Sequence, residues 1–310
     1  MRLTQLEYLC LSISLTTSYR WQIIWQDSLL SITFDRISSN TIVAYHRQTK
    51  SISKLSYIDS MRRLCKIGLD IVQQRALSRP FHQQLLRIVE CRDQIQDDLK
   101  QMEDHLTDVT KCRSVREQLE FWNLYMHRSY ILSELCRPTI GKQHNGGEHQ
   151  EMALSLMSLC VESLIGTVEA FLGLQNTTQF ASQSWAAVHR SLSSALLLGI
   201  LGEAARSERV RSLVSKLAAV ISEVLSGIDP SELSPPLTRS VAALHKLIVA
   251  DDWDKNLSPF GNFYGFDDQT TQTVSESTTL VSSPYLLSDE QNSPHSVLNS
   301  IFWGSGLGIL

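Results

Sequence analysis

The sequence predicts an all-α protein, a single large multi-helix domain over residues 1–250 followed by a mostly disordered acidic segment, 251–310. Three observations lead there. Apolar residues recur at helical spacing in one window after another up to Ala250. Pro and Gly total only 8 and 14 in 310 residues, few for a turn-rich β protein, while 43% hydrophobic content is enough for a core. After Ala250 the period stops and Ser, Thr, Asn, Gln and Pro dominate.

The first helix is expected from Tyr19 to Arg36. Trp21, Ile24, Trp25, Leu29 and Ile32 line one face, and Ile23, Leu30 and Phe34 line a second. A helix apolar on two faces belongs in the middle of a domain, so Trp21 and Trp25 are core candidates. Asp27 lies on the second face. Its carboxylate needs a partner there, because burying a lone charge costs several kcal/mol. Arg20, Arg36 or a residue distant in sequence could serve, in a structural role. An acid/base role lacks a His, Lys or second carboxylate one turn away.

The next helices follow from the same period. Ser53 to Ala76 carries Leu55, Ile58, Met61, Leu64, Cys65, Leu69, Ile71 and Val72. Pro80 opens a helix running from Phe81 to His105, whose charged face (Arg92, Asp93, Asp97, Asp98, Lys100, Glu103) reads as solvated. Ser114-Val-Arg-Glu117 is a capping box before a helix that Pro138 stops. Glu151 to Leu172 is helical, with Gly173 near its C-terminus. Ser182 is placed to cap a second core helix, Ser184 to Ala205. There Trp185, Val188, Leu192, Ala195, Leu196 and Gly199 form the buried stripe, and His189 is a core or boundary histidine. Ser207 to Ser226 is amphipathic and closed by Gly227. Pro235 or Pro236 starts the last helix, which ends near Ala250.

Net charge is −4, made of −7 over 251–310 and +3 over 1–250, so no polybasic footprint for nucleic acid is present. Six cysteines stand at least 21 residues apart. With no C-x-x-C there is no zinc site to read, and buried free thiols in helices are expected. Met1 to Thr17 is broken by Glu7 and lacks a small-x-small cleavage site, so it is not read as a secretory signal. The longest apolar run, Ala195 to Gly202, is too short to span a membrane.

Catalytic signatures are missing: no G-x-S-x-G, no H-E-x-x-H and no Gly-rich dinucleotide turn. The loop G-K-Q-H-N-G-G at 141–147 lacks the phosphate-loop pattern. His144 and His149 flank its glycine pair without a third ligand. Asp251-Asp252-Trp253-Asp254 has the look of a magnesium-binding aspartate motif, but it stands at the edge of the folded region with no second metal motif. No enzyme activity and no cofactor are expected of this chain.

Two segments carry a resemblance. The first is W-x-x-x-W-Q-D-S-L-L-S followed by x-x-x-D-R, from Trp21 to Arg36. The second, at Ser184 to Glu203, is S-W-A-A-V-H-R-S-L-S-S-A-L-L-L-G-I-L-G-E. In that order, some 160 residues apart, they resemble the fungal-specific transcription factor domain. That domain is the all-helical middle region of fungal regulators with a zinc binuclear cluster. The family usually ends its first motif with D-R-P or G-R-P, where this chain reads Asp35-Arg36-Ile37.

The resemblance implies a nuclear transcription regulator controlling a metabolic pathway or biosynthetic gene cluster, and possible homodimers. In the family the zinc cluster that contacts DNA lies N-terminal to this domain. The chain carries neither that cluster nor the coiled coil, so it reads as N-terminally truncated, and DNA is a partner only through the missing part. The alternative is a helical interaction or ligand-sensing protein without its own DNA contact. The tail fits the first reading. Phe260, Phe263, Tyr264 and Phe266 stand beside Asp267 and Asp268, the composition of an acidic-aromatic activation segment that meets coactivators. A passive tail, or one that docks on the chain's own helices, is the competing view.

Overall fold

The computed structural model describes residues 24–33, 36–37, 54–77, 79–140, 149–229 and 235–249. Of these residues 86% are helical and none lies in a strand, so the chain is all-α. Nine helices are present among the described residues: α1 (24–33), α2 (Tyr57–Arg75), α3 (Phe81–Gln101), α4 (Val115–Cys136), α5 (Gln150–Thr177), α6 (Trp185–Ile200), α7 (Glu203–Arg206), α8 (Glu208–Ser226) and α9 (Pro235–Val249). The chain divides into two compact units, 1–139 with 146–191, and 140–145 with 192–310. Helix α6 passes from the first unit to the second between Ser191 and Leu192.

In the first unit α1 packs on α2. Its buried stripe is Ile24, Ser28, Ser31 and Ile32, while Trp25 and Leu29 are half-buried. The small serines bring the helices close, and a Cβ on Gly68 of α2 would lie 2.5 Å from Ile32 Cδ1. Helix α2 starts later than its apolar pattern predicts. Ser56, extended at φ −70° and ψ 165°, caps it by accepting from the Asp59 amide. Leu55 is left to form an isolated parallel bridge with Met102: its amide donates to the Gln101 carbonyl (2.7 Å) and its carbonyl accepts from the Glu103 amide (3.1 Å). The same bridge ends α3 at Gln101, short of the expected His105.

Helices α4 and α5 run antiparallel. Ser133 meets Cys160, Ser129 meets Gly166 and Trp122 meets Gly173, so one number falls as the other rises. Ser114 caps α4 as expected, accepting from the Glu117 amide at 3.2 Å, and the Glu117 carboxylate reaches back to the Arg113 amide. Gly173 does not end α5, which continues to Thr177. The glycine is needed because a Cβ there would lie 2.4–2.6 Å from three ring atoms of Trp122. By length and composition alone α5 could cross a bilayer; its pairing along α4 accounts for that apolarity.

The second unit contains the end of α6 and α7 to α9. The expected continuous helix to Ala205 is broken: Gly202 takes a left-handed φ of 76°, and α7 restarts after it. Ser207 caps α8, whose buried stripe is Val210, Val214, Leu217, Ala218 and Ile221. Helix α9 contributes Val241 and Leu244, and Ser222 is hydrogen-bonded to His245 Nε2 at 3.0 Å.

Candidate functional site

The first unit encloses a chain of polar side chains contributed by four helices. Arg190 of α6 is 3% exposed, and its Nη1 lies 3.1 Å from His127 Nδ1 on α4. A guanidinium only donates, so Nδ1 must accept and the imidazole proton resides on Nε2. That Nε2 lies 3.9 Å from Cys65 Sγ on α2, a long and weak contact. The Cys65 thiol is in turn hydrogen-bonded to Ser28 of α1. The Ser28 hydroxyl donates to the Trp25 carbonyl at 2.7 Å. Polar contacts therefore link Arg190 through His127, Cys65 and Ser28 to the backbone of α1.

The electrostatics keep this chain neutral apart from Arg190. Burial, then the Arg190 cation, holds His127 well below its ordinary value. Burial pushes the Cys65 thiol up to about 11. Arg190 lies over the Tyr130 ring, 4.9 Å from its centroid, a face that attracts a desolvated cation. Nearby, Glu134 is buried between two arginines: Arg75 donates to its Oε2 at 2.8 Å and to its carbonyl at 2.9 Å, and Arg137 donates to Oε2 at 3.0 Å. Arg63 pairs with Asp98, whose pKa is raised by burial first.

The residues singled out in the sequence fall in different places. Asp27 forms an ion pair with Arg36, Oδ1 to Nη2 at 3.6 Å, one of the partners considered for it. Trp25 is only half-buried, and its buried Nε1 finds no acceptor among the described residues. Its face turns partly outward because the serines of α1 take the close contact with α2. Trp185 is corrected outright: it is 51% exposed, not core. It is the first residue of α6, and its ring stacks on His189 with 5.0 Å between centroids. His189 is a boundary histidine, lowered to about 4 by burial and then by Arg190. Ser184, not Ser182, caps α6, accepting from the Ala187 amide. Asp98 is not solvated but buried against Arg63. Cys112 lies between helices and is half-buried, whereas Cys65, Cys91, Cys136 and Cys160 are buried free thiols. Trp21, Phe260, Phe263, Tyr264, Phe266 and the 251–254 aspartate motif lie outside the described residues.

Cys65, His127 and Glu134 were not singled out in the sequence as partners. The only signal was Arg190, the arginine of the H-R pair in the second motif. The Cys65–His127 pair has the composition of a nucleophile and base, but both shifts oppose that chemistry. An activated thiolate needs a lowered thiol pKa and a histidinium, and here the thiol is raised and the imidazole kept neutral. Among the described residues no three His, Cys, Asp or Glu side chains converge as metal ligands. No protein-family model matches the chain, and the comparisons with curated proteins and with solved structures give no match.

Proposed function

We propose that this chain is the helical regulatory domain of a nuclear transcription regulator of the fungal zinc-cluster type, not an enzyme, acting on a metabolic pathway or gene cluster. One observation carries the reading. The two sequence segments that resemble the family are linked by one buried chain of polar contacts, from Arg190 of the second motif through His127 and Cys65 to Ser28 of the first. Two motifs about 160 residues apart have no reason to resemble one family unless they act together, and a shared buried contact is such a reason. The inert Cys65–His127 pair supports a non-enzymatic role. In this reading the 251–310 segment meets coactivators, and DNA contact is assigned to no residue of this chain.

The test fuses residues 1–310 to an unrelated DNA-binding domain upstream of a reporter. The fusion is expected to change transcription, and changing Phe260, Phe263 and Phe266 together to Ala is expected to remove activation. A fusion indistinguishable from the DNA-binding domain alone would overturn the proposal. Without a fused domain, the chain is expected to bind duplex DNA weakly and without sequence preference, measured by fluorescence anisotropy.

A further inference from the structure

A cleft opens in the first unit between the C-terminal half of α2, Leu77, Arg79, the first half of α3 and the end of α4, with a volume of ≈ 210 Å³. That is below the ~300–1,000 Å³ of drug-sized sites, so it admits only a small molecule. Its apolar wall is Ile71, Ile88, Cys91 and Leu135, all buried, with Leu77 and Pro138 toward the opening.

The polar groups have a definite sign. Five charged side chains line the cleft: Arg75, Arg79 and Arg87 against Asp70 and Glu134, an excess of one positive charge. Arg75 is committed to Glu134, and Arg87 lies 3.8 Å from Asp70 and 2.8 Å from Glu90. Arg79 has no ion-pair or hydrogen-bond partner for its guanidinium among the described residues. Gln84 Nε2 donates to the Arg79 carbonyl at 2.7 Å, which ties down the backbone that carries this guanidinium.

We infer that this cleft binds a small organic carboxylate, its carboxylate on Arg79 and its apolar body against Ile71, Ile88 and Leu135. The apolar wall disfavours inorganic phosphate, which needs donors on every side. The excess positive charge disfavours amines without an acid group. The site does not depend on the transcriptional reading: ligand binding is measured without a reporter, so either can fail while the other stands.

Phenylacetate has both required parts and about the right size. Phenylacetamide lacks the charge, and phosphate lacks the apolar body. Calorimetric titration and thermal unfolding of the whole 310-residue chain separate them. Phenylacetate is expected to saturate one site per chain and to raise the unfolding temperature. Phenylacetamide and phosphate should not saturate. Arg79→Ala should weaken phenylacetate about tenfold while leaving the unliganded unfolding temperature unchanged, because Arg79 is exposed. The inference is overturned if phenylacetate does not saturate below roughly 10 mM, if phenylacetamide binds as well as phenylacetate, or if Arg79→Ala binds phenylacetate unchanged.

Discussion

Replacing Gly173 with Ala sets two known effects against each other at one position. In the interior of α5 the change should stabilise the helix by about 0.8–1.0 kcal/mol, since Gly is that much poorer a helix former. Against this, the new Cβ would lie 2.4, 2.5 and 2.6 Å from Trp122 Cδ2, Cε2 and Cε3. Carbon atoms rest about 3.5–4.0 Å apart, so the rigid indole must move by roughly 1 Å or more. It cannot move alone: Phe121 meets the ring edge-on at 4.8 Å between centroids, and Tyr125 lies at 6.3 Å. Overpacking of this kind costs about 1–3 kcal/mol. The net expectation is destabilisation of about 1 kcal/mol, read as a lower urea midpoint with an unchanged slope. For a chain of this size that is a fall of roughly 2–4 °C in Tm. In a Trp122→Ala background the clash is gone, and Gly173→Ala should instead stabilise by up to about 1 kcal/mol. The sign reversal is the test. A Gly173→Ala protein at least as stable as wild type would refute the close α4–α5 contact, as would equal effects in the two backgrounds.

Three further outcomes follow from the same packing. His127 and His189 are held below 6.5 in the folded state, so the unfolded chain takes up more protons as pH falls through 6.5. Their stability contribution is present above 6.5 and is lost toward the folded pKa, by up to about 1.4 kcal/mol per pH unit for each. Urea melts between pH 7 and 5 should show that slope, and His189→Gln should remove about one proton from it. Asp70 and Asp98, both raised by burial, offset the loss at lower pH. Asp27→Asn should cost less than about 1 kcal/mol, because Arg36 is 57% exposed and such pairs are worth little; a larger loss in Tm would mean Asp27 is tied to a stronger partner. Trp25→Phe should leave stability unchanged or raise it, since it removes a buried N–H that lacks an acceptor among the described residues, and a fall above about 1 kcal/mol in urea melts would contradict that.

What the sequence made legible was local. Period and capping located eight of the nine helices to within a few residues, and the S-V-R-E box at 114–117 starts α4 as read. Misreadings arose where a distant contact overrode local pattern. Leu55 and Met102 fit helical stripes, yet they pair with each other across 47 positions and end both helices. Gly173 has the position of a terminator and is instead the space beneath Trp122. In the 19–36 window the two tryptophans dominate the apolar pattern, but close packing of α1 on α2 favours the small side chains, so Ser28 and Ser31 face inward. Asp98 sits in a run of charges, and only the Arg63 contact, 35 residues away, shows why it is buried. The polar chain joins residues 62 and 63 positions apart, and no spacing rule connects them.

The Arg190 chain is poorly explained by stability alone. Arg75, Arg137 and Arg190 bring three positive charges near one buried carboxylate, Glu134, and His127 and Cys65 contribute none in return. Apolar residues of similar volume often replace such buried charges without loss. What apolar packing lacks is a demand for particular partners. Arg190 can only donate, which fixes the His127 tautomer and so what Cys65 receives. The contacts form only when α1, α2, α4 and α6 hold one rotation and one height relative to each other. A slip of a single residue in any of them leaves a buried polar group unmatched, at about 1–3 kcal/mol. Such a chain favours one discrete arrangement, the property by which the regulatory domain proposed above would hold one state until a partner or ligand favours another.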